Sequence, residues 1–145
     1  MDQHALFQQF VAFTATLHQV TQALTQNVKL DNITALQYKI LEYVKICPAV
    51  TATEISDFLH ISLPNMSREL RKLQEQRLIE KMNDPADRRK HVIRLTAEGE
   101  KMMTAAFAHI EEQFLQLIHD ASSKDVEAIS EALALLEQKV FHHKK

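Results

Sequence analysis

The sequence predicts a mostly α-helical protein interrupted by one small β-hairpin. Three observations carry this expectation. Gly occurs once and Pro three times in 145 residues, so the two strongest helix breakers are nearly absent and long helices can run on. Apolar residues recur at three- and four-residue steps over most of the chain, which is the period of an amphipathic helix. Between Leu78 and Thr96 that period gives way to alternation, as in half-buried strands.

The first helix is marked by Leu6, Phe10, Phe13, Leu17, Val20 and Leu24, with Gln, Thr and His between them, a heptad-like stripe. After a polar break from Lys29 to Asn32, Leu36, Ile40, Tyr43 and Val44 resume a helical period that Pro48 stops. Thr51 followed by Glu54 is a capping-box signature, so a third, short helix starts there and carries Ile55, Phe58 and Leu59. Ser62 caps a fourth helix. Pro64 is tolerated in its first turn, where its missing N–H has no partner to lose. Met66, Leu70 and Leu73 form the buried stripe of that helix, and Asn65, Arg68, Arg71 and Lys72 the opposite face. The runs LIEKMN and HVIRLT, separated by DPADRRK, read as a hairpin with a charged tip, His91, Ile93 and Leu95 alternating with Val92, Arg94 and Thr96. Thr96 caps a fifth helix reaching His119, with Met103, Phe107, Ile110, Phe114 and Leu117 on one stripe. After capping residues from Asp120 to Ser123, Val126, Ile129, Leu133, Leu136 and Val140 mark the last helix. The apolar seams at the two ends are expected to pack together across a two-fold axis with a second copy.

Composition bounds the function. A hydrophobic content of 46% supports a substantial core, and no run approaches the roughly 20 apolar residues of a membrane span. The amino terminus MDQHALFQQF lacks a basic leader followed by an apolar run, so a cytoplasmic location is expected. One cysteine, Cys47, excludes an internal disulfide. The single glycine excludes a Gly-rich phosphate loop, and Ser, His and Asp show no nucleophile turn, so neither an enzyme nor a cofactor is expected. Charge is the informative property. The formal net charge is -2, yet all six arginines (Arg68, Arg71, Arg77, Arg88, Arg89 and Arg94) fall in one segment. Residues 62–94 hold nine Lys or Arg against five Asp or Glu, and the remainder holds eight against fourteen. A basic patch on an acidic body points to nucleic acid.

Three helices and then a hairpin, with cations on the third helix and on the hairpin tip, is the order of a winged helix-turn-helix. A helix fits the major groove of B-DNA, and an arginine on a hairpin tip reaches the minor groove, where the potential is most negative. The set expected in the major groove is Pro64, Asn65, Ser67, Arg68, Arg71 and Lys72. Within it Arg68 can donate twice to guanine, and Asn65 can bond adenine or a phosphate. Arg71 and Lys72, with Lys81, position the helix on phosphates. The wing set is Asp87, Arg88, Arg89 and Lys90.

These residues resemble the MarR-type transcriptional regulators. The likeness is strongest in DPADRRKHVIRLTAEG, from Asp84 to Gly99, which is similar to that family's wing and to the Leu-Thr-x-x-Gly entry to its fifth helix. SLPNMSRELRKLQEQRLI resembles the recognition helix and following strand. The resemblance implies a winged helix-turn-helix in residues 31–99, with residues 1–30 and 100–145 supplying dimerisation helices. It also implies a homodimer on a palindromic operator in double-stranded DNA, acting as a repressor and released by a small molecule or an oxidant. In the family's wing, Asp87 would orient the guanidinium of Arg89 in the minor groove. A ligand site between dimer helices and DNA module has His18, Tyr38 and Tyr43 as candidates.

Each reading has a plainer competitor. The arginine cluster is otherwise a solvated face with local pairs such as Arg71 with Glu75, or a surface for an acidic protein partner. Asp87 can simply close a turn, and Gly99 can permit close helix packing. Arg77 and Arg94 are as readily structural as functional. Eight histidines raise a zinc-responsive regulator as an alternative, but His109 with Glu112, and His142 with His143, lack recognised ligand spacing, so no metal site is assigned. Cys47 beside Pro48 reads as a small buried hydrophobe, and aromatic residues at helical spacing are commonly core.

Overall fold

The computed structural model of the protein describes residues 1–26, 28 and 30–142. In chain order the elements are α1 (Gln3–Thr25), α2 (Ala35–Ile46), α3 (Ala52–Leu59), α4 (Leu63–Glu75), β1 (Ile79–Asn83), β2 (His91–Leu95), α5 (Ala97–Leu117) and α6 (Ser123–Lys139). This is the expected architecture, mostly helical with one antiparallel hairpin. Lys29, where a polar break was expected to begin, and His143 lie outside the described residues.

Helix starts are set by side-chain oxygens that accept otherwise unpaired backbone N–H groups. Asp2 accepts from Ala5, Thr51 from Glu54 and Ser62 from Asn65. The reciprocal capping box expected at Thr51 is half formed. The Glu54 carboxylate accepts from the Thr51 hydroxyl at 3.2 Å. Full boxes occur instead at Thr34 with Gln37 and at Ser122 with Asp125. The last helical turn of α5 closes at Leu117, two residues before the expected His119.

The chain divides into two compact units, Met1–Ile110 and Glu111–Lys145, and the division falls within α5. The core of the first unit is built from Ile40, Leu41 and Val44 of α2, Ile55 of α3, Met66, Leu70 and Leu73 of α4, Ile79 of β1, Ile93 and Leu95 of β2, and Met103 of α5. The hairpin pairs Ile79 with Leu95 through Asn83 with His91. A third piece of extended chain joins it, since the Ile93 N–H donates to the Val50 carbonyl at 2.6 Å. Strict alternation along β2 fails at one place, because Val92 is buried beside Ile93 although the two point to opposite faces. In the second unit, α6 buries none of its residues, and in the first unit neither does α1.

α4 ends in a Schellman turn. Leu78 N–H donates to Leu73 O at 3.1 Å and Arg77 N–H to Gln74 O at 3.0 Å, with Arg77 in the left-handed region at φ 62. The next helix is fastened to this turn. Thr96 Oγ1 accepts from Gly99 N–H at 3.0 Å and donates to Arg77 O at 2.6 Å, while Thr96 N–H donates to Leu78 O at 3.0 Å. Gly99 lies so close that a Cβ on it would collide with the Leu78 carbonyl oxygen. The obstacle is backbone and cannot swing aside, so Gly99→Ala is expected to lower the unfolding free energy by about 1–3 kcal/mol, the usual cost of overpacking. Urea denaturation of the two proteins measures this; an unchanged midpoint would show that the junction can relax.

Candidate nucleic-acid interface

α4 has two chemically distinct sides. Met66, Leu70 and Leu73 are fully buried, while Pro64, Asn65, Ser67, Arg68, Arg71 and Lys72 are all exposed. The spacing 66, 70, 73 keeps the apolar side chains on one stripe and turns the polar ones outward. The helix start is anchored by Ser62 and admits Pro64 within the first turn. On the exposed side Arg68 Nη2 donates to Asn65 Oδ1, so the two side chains form one unit. Lys72 lies 3.5 Å from Glu69 Oε1.

The hairpin tip carries the second group, with Asp87, Arg88, Arg89 and Lys90 all exposed. Its form is set by backbone hydrogen bonds from Asp84 N–H to Lys90 O at 2.8 Å, Asp87 N–H to Asp84 O at 3.1 Å and Lys90 N–H to Asp87 O at 3.0 Å. Two aspartates complete the tip, Asp84 Oδ1 accepting from Ala86 N–H at 2.9 Å and Asp87 Oδ1 from Arg89 N–H at 3.0 Å. The family likeness implied that the Asp87 carboxylate would hold the Arg89 guanidinium. Here it takes the Arg89 backbone N–H instead, because an aspartate two residues ahead closes an Asx turn. Asp87 therefore fixes the backbone of the tip at Arg89.

Among the described residues no arginine takes part in an ion pair, and the pair considered for Arg71 with Glu75 is not formed. Arg94 stands opposite Glu80 across the ladder without closing on it. Arg77 serves the turn after α4 through its backbone. Among the described residues the cationic groups of α4 and of the hairpin thus have no ion-pair partner, apart from Lys72.

A cavity of about 820 Å³ opens between α1 and α2 and is lined by His18, Asp31, Thr34, Tyr38, Lys39 and Glu42 among others. Two of the three candidate ligand residues, His18 and Tyr38, meet there. Tyr43 does not. Five residues beyond Tyr38 it is turned by about 140° around α2, and its ring stacks on Phe58 with centroids 4.3 Å apart. The Tyr38 hydroxyl is buried and makes no hydrogen bond of normal geometry. Burial and the Glu42 carboxylate one turn along push its pKa up to about 12. Burial, aided by the charges of Cys47 and Glu54, also raises Tyr43. Among the described residues no three His, Cys, Asp or Glu side chains gather as a metal site would require, and no helix is long and apolar enough to cross a membrane.

Reading the sequence missed two links to α4. Gln37 Nε2 donates to Glu69 Oε2 at 3.0 Å, and Gln76 Nε2 donates to Asn32 O at 3.2 Å. The T-x-x-Q spacing from Thr34 to Gln37 was a visible capping signal, but nothing local announces a partner 32 residues away.

The model of the MarR family matches residues 31–90. The transcriptional regulator HosA of Escherichia coli O111:H- is 26% identical over 106 residues, which cover 68% of this chain and 78% of HosA. Among solved structures, a MarR family transcription regulator is similar with a TM-score of 0.67 and 27% identity, covering 93% of this chain and 89% of that one. Staphylococcus aureus MepR bound to ethidium bromide gives a TM-score of 0.63 at 24% identity, with 97% of each chain covered.

The chain has two tyrosines and no tryptophan, so phenolate absorbance reports on Tyr38 and Tyr43 alone. Both are expected to ionise above the ordinary value of 10, Tyr38 near 12. Since the folded form holds the Tyr38 proton more tightly than the unfolded form, the stability linked to it is complete below pH 10 and is lost as pH rises to about 12. Alkaline titration with stability measured in parallel checks this. Tyr38→Phe should flatten that loss, and a Tyr38 titrating near 10 would contradict the burial argument.

Proposed function

We propose that the chain, whose residues 31–90 match the MarR family model, is a member of that family and acts as a sequence-specific repressor that binds double-stranded DNA as a homodimer and is released by a small molecule. One observation carries the reading. Unpaired arginines occupy two projections, the outer side of α4 and the hairpin tip, on a chain whose remaining charge is negative. Within a winged helix-turn-helix these projections suit the major and minor grooves. Arg68, held by Asn65, donates to a guanine edge; Arg71, Lys72 and Lys81 meet phosphates; Ser67 and Pro64 lie against the groove floor and wall. Arg89, flanked by Arg88 and Lys90 on the turn that Asp87 closes, enters the minor groove.

The homodimer reading is supported by unused apolar surface. Leu6, Phe13 and Leu17 of α1 and Ile129, Leu133 and Leu135 of α6 are exposed in the single chain. Burying one such side chain fully stabilises by about 1.5–3 kcal/mol, so pairing two copies through residues 1–30 and 100–145 uses what folding leaves over. With residues 31–99 as the DNA module, two recognition helices about 34 Å apart would meet half-sites about 10 bp apart on a palindrome. The cavity holding His18 and Tyr38 suits a small-molecule effector, and the similarity to MepR, solved with ethidium, supports a ligand-responsive role. A cytoplasmic site of action follows from an operator as target.

Mobility shifts on the promoter of the protein's own operon are expected to show duplex binding that weakens steeply with salt; duplex binding indifferent to salt would remove the basis of the proposal. Arg89→Ala should weaken binding to every sequence and reduce the salt slope by about 1, whereas Arg68→Ala should cost about 1–3 kcal/mol and relax preference at one base pair. Equal losses for Arg68→Ala on selected and random duplexes would remove its base-reading role. Ile129→Asp should shift the species seen in sedimentation from dimer to monomer; a variant that stays dimeric would exclude α6 from the interface.

A further inference from the structure

The recognition helix is tied at two points to one short stretch of chain. At its C-terminal end Gln76 Nε2 donates to the Asn32 carbonyl at 3.2 Å. In its middle Glu69 Oε2 accepts from Gln37 Nε2 at 3.0 Å. Gln37 is buried, and its side chain is used at both ends, because Oε1 accepts from the Thr34 N–H at 3.1 Å while the Thr34 hydroxyl accepts from the Gln37 N–H at 3.1 Å. One amide therefore closes the cap of α2 and holds α4. A buried amide committed in this way has little slack, since moving Thr34 must break the box or drag the bond to Glu69. Asn32 is held in the left-handed region at φ 63, so its carbonyl direction is set by a backbone conformation that has few alternatives nearby. The same residues, Asn32 and Thr34, line the cavity between α1 and α2, with Tyr38 one turn further along α2.

We propose that residues 32–37 form a strut that sets the pose of the recognition helix and links it to the cavity, with Gln37 and Gln76 as the positioning residues. The strut rests on the DNA-binding reading above and adds the route by which that surface is regulated. A ligand that displaces Thr34 or Asn32 would tilt α4 through hydrogen bonds rather than through contact with it.

Coupling between two sites is reciprocal, so DNA itself can serve as the probe and no effector need be known. The two tyrosines are replaced by 3-fluorotyrosine, their fluorine resonances are assigned with Tyr43→Phe, and a duplex selected from a random-sequence pool is added to saturation. The Tyr38 resonance should move in the native chain. Changing Gln37 would also strip the cap of α2, so the ties are cut from the α4 side. In the double variant Glu69→Ala, Gln76→Ala the movement should fall by roughly threefold or more, with thermal melts confirming a folded protein that still binds duplex. Glu69→Gln, which keeps an acceptor for Gln37, should restore most of it when Gln76 is intact. A Tyr38 resonance that stays put in the native chain at saturation, or that moves equally in the double variant, overturns the strut while leaving DNA binding standing. Failure of the native chain to bind any selected duplex overturns the DNA reading and the strut with it.

Discussion

A helix that offers cations to a partner can be held in place only by its other side, and this is the constraint on which the rest of the molecule depends. Met66, Leu70 and Leu73 of α4 are withdrawn from water completely, each contributing about 1.5–3 kcal/mol, so Arg68 and Arg71 need no internal partner to be positioned. Ser62 starts the helix, and the Schellman turn at Arg77 and Leu78 ends it and directs the chain into β1. The hairpin follows α4 with only Gln76, Arg77 and Leu78 between them. Thr96 and Gly99 then lock the start of α5 onto that same turn. The two cationic projections thus share one rigid junction.

Electrostatics and packing are arranged in opposite senses. Among the described residues one ion pair joins two elements, Lys45 of α2 lying 2.6 Å from Glu100 of α5. Among the described residues the arginines of α4 and of the hairpin tip form no ion pair, and the repulsion among them is offset by exposure to water and counterions. A polyanion that displaces those counterions gains from the release, which is why a surface of this kind is sensitive to salt. The polar links beneath α4 are neutral or singly charged amide contacts, Gln37 to Glu69 and Gln76 to Asn32. They orient the helix without adding positive charge.

Much of this was legible residue by residue. The stripes of α1, α4, α5 and α6, the caps at Ser62 and Thr96, and the change of period that marks the hairpin all depend on neighbours within about four residues, the range over which helix and strand periods act. Segregation of the arginines could be read from the sequence too, since all six lie between residues 68 and 94. Other features required knowing which segments meet. Val50 pairing with Ile93 could not be seen from either segment alone. Tyr43 looked equivalent to Tyr38 until the turn of α2 carried it to Phe58, and Asp87 was expected on a guanidinium but found on a backbone N–H.

By itself the amino-acid sequence determined the element order, the side of each helix that is apolar, and the concentration of positive charge on one helix and one hairpin tip, because these follow from local spacing and composition. Tertiary structure alone decided that Gly99 must lack a side chain beside Leu78, that His18 and Tyr38 share a cavity, and that Gln37 bridges to Glu69. The physical reason is distance along the chain. Hydrogen bonds and steric limits act over a few ångströms in space, and only folding brings residues tens of positions apart within that reach.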